Sequence, residues 1–224
     1  MIVHGEREVL EKRAAEILAQ SLQEIIDEQN RAVLAVPGGR SVGAVLRQLE
    51  FEPVDWHKVH VFMVDERLVA LGHPESNFTL VSSCVDSFIK RENLHPFGHS
   101  SANNKAALQS YCRLLQDYGG RFDLVLLSSG EDGHIASLFP EHETFASDEE
   151  FFILTNSSPK PPSGRMSASK KLISSSQTAV LLFWGTEKQE ALTMFMDEQV
   201  PLMRCPAKIV TTIRQHHVLT DLHG

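Results

Sequence analysis

Residues 32–41 decide the fold, and they read Ala-Val-Leu-Ala-Val-Pro-Gly-Gly-Arg-Ser. The first five form an uninterrupted apolar run with the length of a strand that is buried on both faces. The Pro-Gly-Gly that follows ends this run, and apolar residues at helical spacing continue over residues 41–49. A wholly apolar strand followed by a tight turn and a helix is typical of a parallel sheet with helices on both faces.

The same alternation of strands and helices continues on both sides of this segment. An amphipathic helix is predicted over residues 6–29, because apolar residues recur there at three- and four-residue steps. We therefore expect a single α/β domain over residues 1–224, with a doubly wound, mostly parallel, Rossmann-like sheet covered by helices on both faces. The Pro- and Ser-rich residues 156–164 are predicted to be a loop or hinge within it. Further strands are predicted at residues 59–64, 124–127, 151–154, 179–184 and 208–213, and further helices at residues 76–90, 102–118 and 186–196.

The composition excludes several classes of protein. The chain of 224 residues is 42% hydrophobic and 22% charged, which is ordinary for a globular protein and argues against disorder. No apolar run approaches the ~20 residues that a membrane-spanning helix needs, so no membrane partner is expected. The formal net charge of −8 argues against nucleic-acid binding, which needs a basic surface. A small anionic substrate stays compatible, since a few clustered cations can override the net charge locally.

The cysteines and histidines show no metal-binding pattern. Cys84, Cys112 and Cys205 lie far apart without Cys-x-x-Cys spacing, which predicts reduced thiols rather than disulfides or a zinc site. The 11 histidines include no His-Glu-x-x-His motif, so we expect no metal. The first residues contain no basic segment followed by an apolar stretch, and we expect a cytoplasmic protein. Either a monomer or a small homo-oligomer is compatible with the sequence.

Three polar clusters follow three of the predicted strands. In open α/β sheets, ligands bind outside the carboxyl ends of the strands. We therefore expect the clusters to meet in a single crevice and to form one candidate site. The clusters are Gly38-Gly39-Arg40-Ser41, Asp65-Glu66-Arg67 and Gly130-Glu131-Asp132-Gly133-His134.

The first cluster has the features of an anion-binding turn. Gly38 and Gly39 allow backbone N–H groups to approach an anion closely, and the helix that follows adds the positive end of its dipole. Arg40 and Ser41 would add a charge and a hydroxyl donor. The pattern is neither a Walker motif nor Gly-x-Gly-x-x-Gly. The alternative interpretation is a tight turn with Ser41 as the N-cap residue.

The third cluster is the most informative, because it places a carboxylate and an imidazole two residues apart between glycines. Histidine titrates near neutral pH, and a neighbouring carboxylate orients the ring and stabilises its cationic form. Asp132 and His134 are therefore the candidate catalytic pair, with a purely structural histidine as the alternative. For Asp65 and Arg67 the alternative is an ordinary solvated loop, although the polar residues 73–77 that follow favour a substrate-facing rim.

Together these motifs resemble the 6-phosphogluconolactonase family, over residues 6–221. The run Asp-Gly-His-x-Ala-Ser-Leu-Phe-Pro is the most specific part of the resemblance. The wider superfamily includes glucosamine-6-phosphate deaminases, which carry a catalytic glutamate in a Phe-Asn-Glu-Pro type sequence where this chain has residues 137–140. The deaminases also have Asp-Glu-Tyr where this chain has Asp-Glu-Arg, and both differences favour the lactonase. The matching segments are Gly38-Gly39-Arg40-Ser41, Val64-Asp65-Glu66-Arg67, Ser76-Asn77, residues 132–140, Arg165 and Gly185-x-x-Lys188.

The resemblance implies hydrolysis of 6-phosphoglucono-δ-lactone to 6-phosphogluconate in the oxidative pentose phosphate pathway, without a metal or other cofactor. It implies that His134 is the general base for water and that Asp132 is its acidic partner. The implied partner molecule is a small sugar phosphate. The residues predicted to bind the substrate or its phosphate are Gly38, Gly39, Arg40, Ser41, Asp65, Arg67, Gly130, Arg165 and Lys188.

Two other functions stay open at this point. A deaminase or isomerase of the same fold would need an extra catalytic carboxylate, and a sugar-phosphate sensor would bind its ligand without chemistry. The presence of both Asp132 and His134 favours an enzyme. The sequence departs from the family pattern at residues 127–130, which read Leu-Ser-Ser-Gly where Leu-Gly-x-Gly is usual.

Overall fold

The computed structural model describes residues 2–99 and 102–222, apart from the side chain of Arg40. These residues form ten strands and seven α-helices, joined by short 3-10 turns. The strands are β1 (Ile2–His4), β2 (Ala32–Val36), β3 (Val59–Met63), β4 (Asp65–Arg67), β5 (Leu94–His95), β6 (Leu124–Ser128), β7 (Phe152–Thr155), β8 (Arg165–Ala168), β9 (Thr178–Phe183) and β10 (Gln215–Thr220). The helices are α1 (Arg7–Gln29), α2 (Arg40–Gln48), α3 (Asn77–Val85), α4 (Asn104–Asp117), α5 (Glu143–Ala146), α6 (Lys170–Ser174) and α7 (Gln189–Met196).

The main sheet has seven parallel strands in the order β1-β10-β9-β6-β2-β3-β5. Every residue of β2 and β9 is buried, so both faces of the sheet are covered, as their continuous apolar sequences require. The predicted fold, a mostly parallel α/β sheet with helices on both faces, is confirmed. Within the described part of the chain, no helix is long and apolar enough to cross a membrane.

The order of the strands reverses between β2 and β6. From β2 the chain proceeds to β3 and β5 on one side, whereas β6 leads to β9 and β10 on the other. Loops that leave the two central strands therefore diverge and open a crevice at their carboxyl ends. The residues that follow β2 and β6 are the first and third polar clusters of the sequence.

A second, smaller sheet lies beside this crevice, and the sequence did not predict it. It contains three antiparallel strands in the order β4-β8-β7. It joins the main sheet at Val64, which lies between β3 and β4 and whose carbonyl oxygen accepts a hydrogen bond from the Ala168 N–H group (2.6 Å). The predicted strand at residues 151–154 belongs to this sheet as β7, and residues 156–164 form the connection from β7 to β8.

The prediction of a last strand at residues 208–213 is wrong. A 3-10 helix covers Pro206–Thr212, and the last strand of the sheet is β10 at Gln215–Thr220. A proline at the first position favours a helical start, and the hydroxyl groups of Thr211 and Thr212 donate to carbonyl oxygens three residues earlier (2.8 and 2.7 Å). So short an apolar run does not distinguish helix from strand by its periodicity.

Candidate active site

A cavity of about 370 Å³ opens at the carboxyl ends of the central strands, where the sequence predicted the crevice. Separate segments of the chain contribute to its wall. Asp132 does not line the cavity but contacts the ring of His134, and the side chain of Arg40 lies outside the described part of the chain. The predicted site residues that line the cavity are Gly38, Gly39, Ser41, Asp65, Arg67, Gly130, His134, Arg165 and Lys188.

The imidazole of His134 is oriented by Asp132. Nδ1 of His134 lies 2.5 Å from Oδ1 of Asp132, and the backbone N–H of His134 donates to the same oxygen (3.2 Å). Burial raises the pKa of Asp132, but the hydrogen bonds and charge of His134 outweigh it and hold that pKa well below its usual range. An ionised Asp132 places the ring proton on Nδ1. In the described chain Nε2 has no hydrogen-bond partner, so it is available to accept a proton.

Gly130 makes room for this ring. A Cβ atom on Gly130 would lie 2.0 Å from both Nδ1 and Cε1 of His134. The ring also packs against Phe139, with 4.8 Å between the ring centroids. Gly133 has a φ of 81°, a conformation that residues with a side chain rarely adopt. The position of the imidazole therefore requires glycine at residue 130, whereas the backbone conformation requires it at residue 133.

Two arginines lie side by side on the small sheet. Arg67 of β4 pairs in register with Arg165 of β8, and Arg165 is only 4% exposed. Their guanidinium groups donate to backbone carbonyl oxygens, from Arg67 to Glu75 (2.9 Å) and from Arg165 to Lys160 and Pro161 (3.3 and 3.1 Å). Neither arginine forms an ion pair within the described residues, and the buried Nε of each has no partner there.

Burial lowers the pKa of Arg165; the charge of Asp65 opposes this effect and the charge of Arg67 adds to it. Two neighbouring cations without a paired carboxylate repel each other, and desolvation adds to the cost. The arrangement is therefore suited to an anion that brings charge and acceptor oxygens into the cavity, such as a phosphate.

Asp65 acts as a brace between the small sheet and the loop that carries the imidazole. Its carboxylate accepts hydrogen bonds from Ser137 Oγ (2.8 Å) and from Asn77 Nδ2 (3.2 Å). The backbone N–H of Ser137 in turn donates to Ser167 Oγ on β8 (3.1 Å). Asp65 reaches the cavity as predicted, but these contacts indicate that it positions the loop rather than binding an anion.

The turn after β2 approaches α3 closely. A Cβ atom on Gly38 would lie 1.9 Å from Oδ1 of Asn77, and this buried oxygen has no hydrogen-bond partner in the described chain. Gly39 has a φ of 107° and open space at its Cβ position. The first turn of α2 follows directly, and the N–H groups of Val42 and Gly43 both donate to the carbonyl oxygen of Gly39 (3.2 Å each). Close packing explains Gly38, whereas backbone conformation and access to the helix start explain Gly39.

The backbone N–H groups of Ser129 and Gly130 are engaged in hydrogen bonds within the protein. The N–H of Gly130 donates to the carbonyl of His134 (2.8 Å), and the N–H of Ser129 donates to the carbonyl of Leu182 (2.9 Å). Neither is free to stabilise a developing negative charge.

Sequence reasoning missed one of the cations that line the cavity. Lys160 lies in the connection from β7 to β8 and contacts Glu131, with 3.0 Å between Nζ and Oε1. Nothing in the local sequence distinguishes this lysine from an ordinary loop lysine; only the tertiary structure brings it to the cavity. The other lining residues that the site prediction did not include are Pro37, Asn77, Ser128, Ser129, Ala136, Ser137, Phe139, Pro161 and Glu187.

A larger cavity, of about 860 Å³, lies between α4 and β7. It is lined neither by Asp132 and His134 nor by the two arginines described above. Its size alone does not make it the active site, since convergent polar groups and shifted pKa values are the better indicators of one.

Comparison with known proteins places these features in a family. Residues 5–219 match the model of the glucosamine-6-phosphate isomerases/6-phosphogluconolactonase family. The chain belongs to this family. Within the glucosamine-6-phosphate isomerase/6-phosphogluconolactonase family, a 6-phosphogluconolactonase from Borreliella burgdorferi is 33% identical over 203 residues, which cover 88% of this chain and 86% of that protein.

Solved structures agree with this assignment to the glucosamine-6-phosphate isomerase/6-phosphogluconolactonase family. The crystal structure of a 6-phosphogluconolactonase from Shewanella baltica is 25% identical, with a TM-score of 0.86 over 98% of this chain and 96% of the other. That of a 6-phosphogluconolactonase from Thermotoga maritima is 25% identical, with a TM-score of 0.84 over 98% and 97% of the two chains.

Proposed function

We propose that this chain hydrolyses 6-phospho-D-glucono-1,5-lactone to 6-phospho-D-gluconate in the oxidative pentose phosphate pathway, with His134 as the general base. The observation that carries this proposal is the arrangement of one cavity. It contains an imidazole held by a carboxylate, and two arginines that form no ion pair with any residue the structure describes. The relatives named as 6-phosphogluconolactonases support the same substrate.

The reaction adds one water molecule across the ester bond of the ring. Nε2 of His134 takes a proton from water as the water oxygen attacks C1, and Asp132 stabilises the imidazolium that forms. The guanidinium of Arg67 stabilises the negative charge on the carbonyl oxygen of the tetrahedral intermediate. The bond between C1 and the ring oxygen then breaks, and His134 returns its proton to that oxygen. The product is the open-chain acid.

The phosphate of the substrate lies far from C1 and contributes binding energy that positions the ring. Arg165, Lys188 and the turn at residues 38–41 are proposed to bind it. Guanidinium groups, an ammonium group and the start of a helix are all suited to a dianion. No cofactor or metal enters this scheme, since an imidazole activates the water.

The structure gives no support to a deaminase. Its extra carboxylate would be expected within residues 137–140, and those residues are Ser-Leu-Phe-Pro. Ser137 is fully engaged there, because it donates to Asp65 and its N–H donates to Ser167. A sensor that only binds the sugar phosphate would not require the contact between Asp132 and His134.

A coupled assay with freshly generated lactone tests the proposed function. Lactone would be produced by oxidation of glucose 6-phosphate, and 6-phosphogluconate would be measured against the spontaneous rate. We expect hydrolysis in proportion to the amount of protein, no release of ammonia from glucosamine 6-phosphate, and no loss of rate after dialysis against EDTA. Ammonia release, or binding of the lactone without faster hydrolysis, would overturn the proposal.

We also propose that the protein acts in the cytoplasm as a monomer or small homo-oligomer, without a nucleic-acid partner. The three cysteines are free thiols, and two of them are buried, which is compatible with a reducing compartment. The net charge of −8 argues against binding to the phosphate backbone of nucleic acids.

A further inference from the structure

The connection from β7 to β8 holds the backbone of Lys160 firmly at the cavity. The N–H of Lys160 donates to Ser158 Oγ (3.2 Å), and that hydroxyl donates to the Lys160 carbonyl (2.9 Å). The carbonyl oxygens of Lys160 and Pro161 both accept from the guanidinium of Arg165. The backbone of this loop is thus attached to a cavity-lining cation, while the side chain of Lys160 can exchange partners.

The side chain of Lys160 forms a weak, exposed ion pair with Glu131. Glu131 pairs with Lys160 through a 3.0 Å contact, and the two side chains are 61% and 36% exposed. Exposed ion pairs of this kind contribute little to stability. The hydrogen bond and charge of Lys160 lower the pKa of Glu131, and the charge of Lys188 acts in the same direction. Glu131 therefore interacts with two lysines that line the same cavity.

We propose that Lys160 is a further phosphate-binding residue and that Glu131 competes with the substrate for it. A phosphate dianion carries twice the charge of a carboxylate and more acceptor oxygens, so it displaces Glu131 when it binds beside Arg165 and Lys188. This inference rests on the proposed function. The inference adds to the proposed function a phosphate-binding role for Lys160 and an opposing role for Glu131.

Replacing Lys160 and Glu131 one at a time distinguishes a phosphate-binding role of Lys160 from a purely structural role of the ion pair. If the pair only fastened the loop, removal of either partner would loosen the loop and weaken binding. If Glu131 competes with the ligand, its removal frees Lys160 and strengthens binding. Lys160→Met and Glu131→Gln then act in opposite directions, which a fastening role does not produce.

The experiment measures the inhibition constants of 6-phosphogluconate, inorganic phosphate and gluconate in the lactonase assay. Lys160→Met is expected to raise the inhibition constants of 6-phosphogluconate and inorganic phosphate about tenfold. Glu131→Gln is expected to lower them about two- to threefold. Gluconate, which has no phosphate, is expected to show neither change.

Lys58→Met is the matched control. Lys58 pairs with Asp55 at 3.3 Å and precedes β3, so it lies at the amino ends of the strands, away from the cavity. Its loss removes the same charge and is expected to leave all inhibition constants unchanged. Weaker inhibition in both Lys160→Met and Glu131→Gln, or no change in Lys160→Met, would overturn the inference. If the wild type lacked lactonase activity, the proposed function would fail, and calorimetric affinities for 6-phosphogluconate would still test Lys160.

Discussion

At the scale of single residues, the site depends on how one imidazole is held. Asp132 binds Nδ1 of His134, Gly130 leaves space for the ring, and Phe139 packs against it. Each contact restricts the ring to the orientation in which Nε2 can accept a proton. The proposed proton transfer requires this orientation of the ring.

Replacement of the base tests its role most simply. His134→Ala is expected to lower kcat by about 10²–10⁴-fold, since general-base catalysis contributes that much. The inhibition constant of 6-phosphogluconate should change little, because the phosphate contacts are elsewhere. His57→Ala, on the 3-10 turn before β3, serves as the control. Near-normal turnover in the His134 variant would show that another group activates the water.

Replacement of Gly130 tests the space that the ring needs. A Cβ atom at this position would lie 2.0 Å from the ring of His134, so Gly130→Ala must displace the ring or the backbone. We expect kcat to fall about 10²-fold, as for other small displacements of a reacting group. Gly98→Ala is the control, because no atom of the described residues lies within 4 Å of its Cβ position. Equal activity of the two variants would contradict the account of this turn.

Asp132, His134 and Arg67 could be placed at the cavity from the sequence, because each follows an apolar strand. Arg165 follows the loop at residues 156–164 instead, and only the resemblance to the family pointed to it. Lys160 could not be predicted, since its approach to the cavity depends on the small sheet that carries Arg165. The hydrogen bond from the Gly130 N–H to the carbonyl oxygen of His134 could not be predicted either. Hydrogen bonds between backbone groups of one turn have no signature in the residue types.

At the scale of secondary-structure elements, β4 shows why part of the fold escaped prediction. Its three residues are all charged, Asp65-Glu66-Arg67, and so lack the apolar alternation that identifies a strand. The strand exists because its side chains are satisfied by specific partners. The apolar strands β2, β6 and β9 were predicted, because burial on both faces determines their composition.

Glu66 joins β4 to the start of α3. Its carboxylate accepts hydrogen bonds from the N–H groups of Asn77 (2.7 Å) and Phe78 (2.8 Å) and from Ser76 Oγ (3.0 Å). Burial raises the pKa of Glu66, although these hydrogen bonds oppose the increase. The helix start and the small sheet therefore depend on one buried side chain.

Removal of this side chain is expected to destabilise the protein. Glu66→Ala leaves several buried donors without an acceptor, which should lower the free energy of unfolding by roughly 3 kcal/mol. Chemical denaturation would measure this loss. Glu75→Ala is the control, because Glu75 is exposed and contacts Arg67 only through its backbone carbonyl. A loss no larger than that of the control would show that Glu66 does not support α3.

At the scale of the whole molecule, the acidic chain surrounds a locally basic site. The net charge is −8, yet Arg67, Lys160, Arg165 and Lys188 line one cavity. The clustered cations attract an anionic substrate locally, although the chain as a whole is acidic. Net charge therefore excluded nucleic acid as a partner in the prediction without excluding a sugar phosphate.

The stability of the whole molecule is expected to depend on pH through buried histidines. Burial, followed by the charge of His60, lowers the pKa of His95 from 6.5 to about 4. Between these values the unfolded chain binds a proton that the native state does not, so stability falls as the pH decreases through this window. The expected loss between pH 7 and pH 4 is roughly 3 kcal/mol.

Denaturant titrations between pH 7 and pH 4 would measure this dependence. In His95→Gln the slope of unfolding free energy against pH should be smaller than in the wild type, because the variant lacks the titrating group. The variant should keep a smaller slope, because burial also lowers the pKa of His60. Nδ1 of His60 lies 3.2 Å from Nε2 of His95 in the wild type. Identical slopes in the variant and the wild type would contradict the assignment.

A crystal structure with 6-phosphogluconate bound tests the central claim most directly, because the product carries both the phosphate and the former C1 carbonyl. We predict that the phosphate contacts Arg165 and Lys188 and that the C1 carboxylate lies within about 3.2 Å of His134 Nε2. Two results would contradict the account: binding in the larger cavity between α4 and β7, or binding at the carboxyl ends of the central strands with C1 remote from His134.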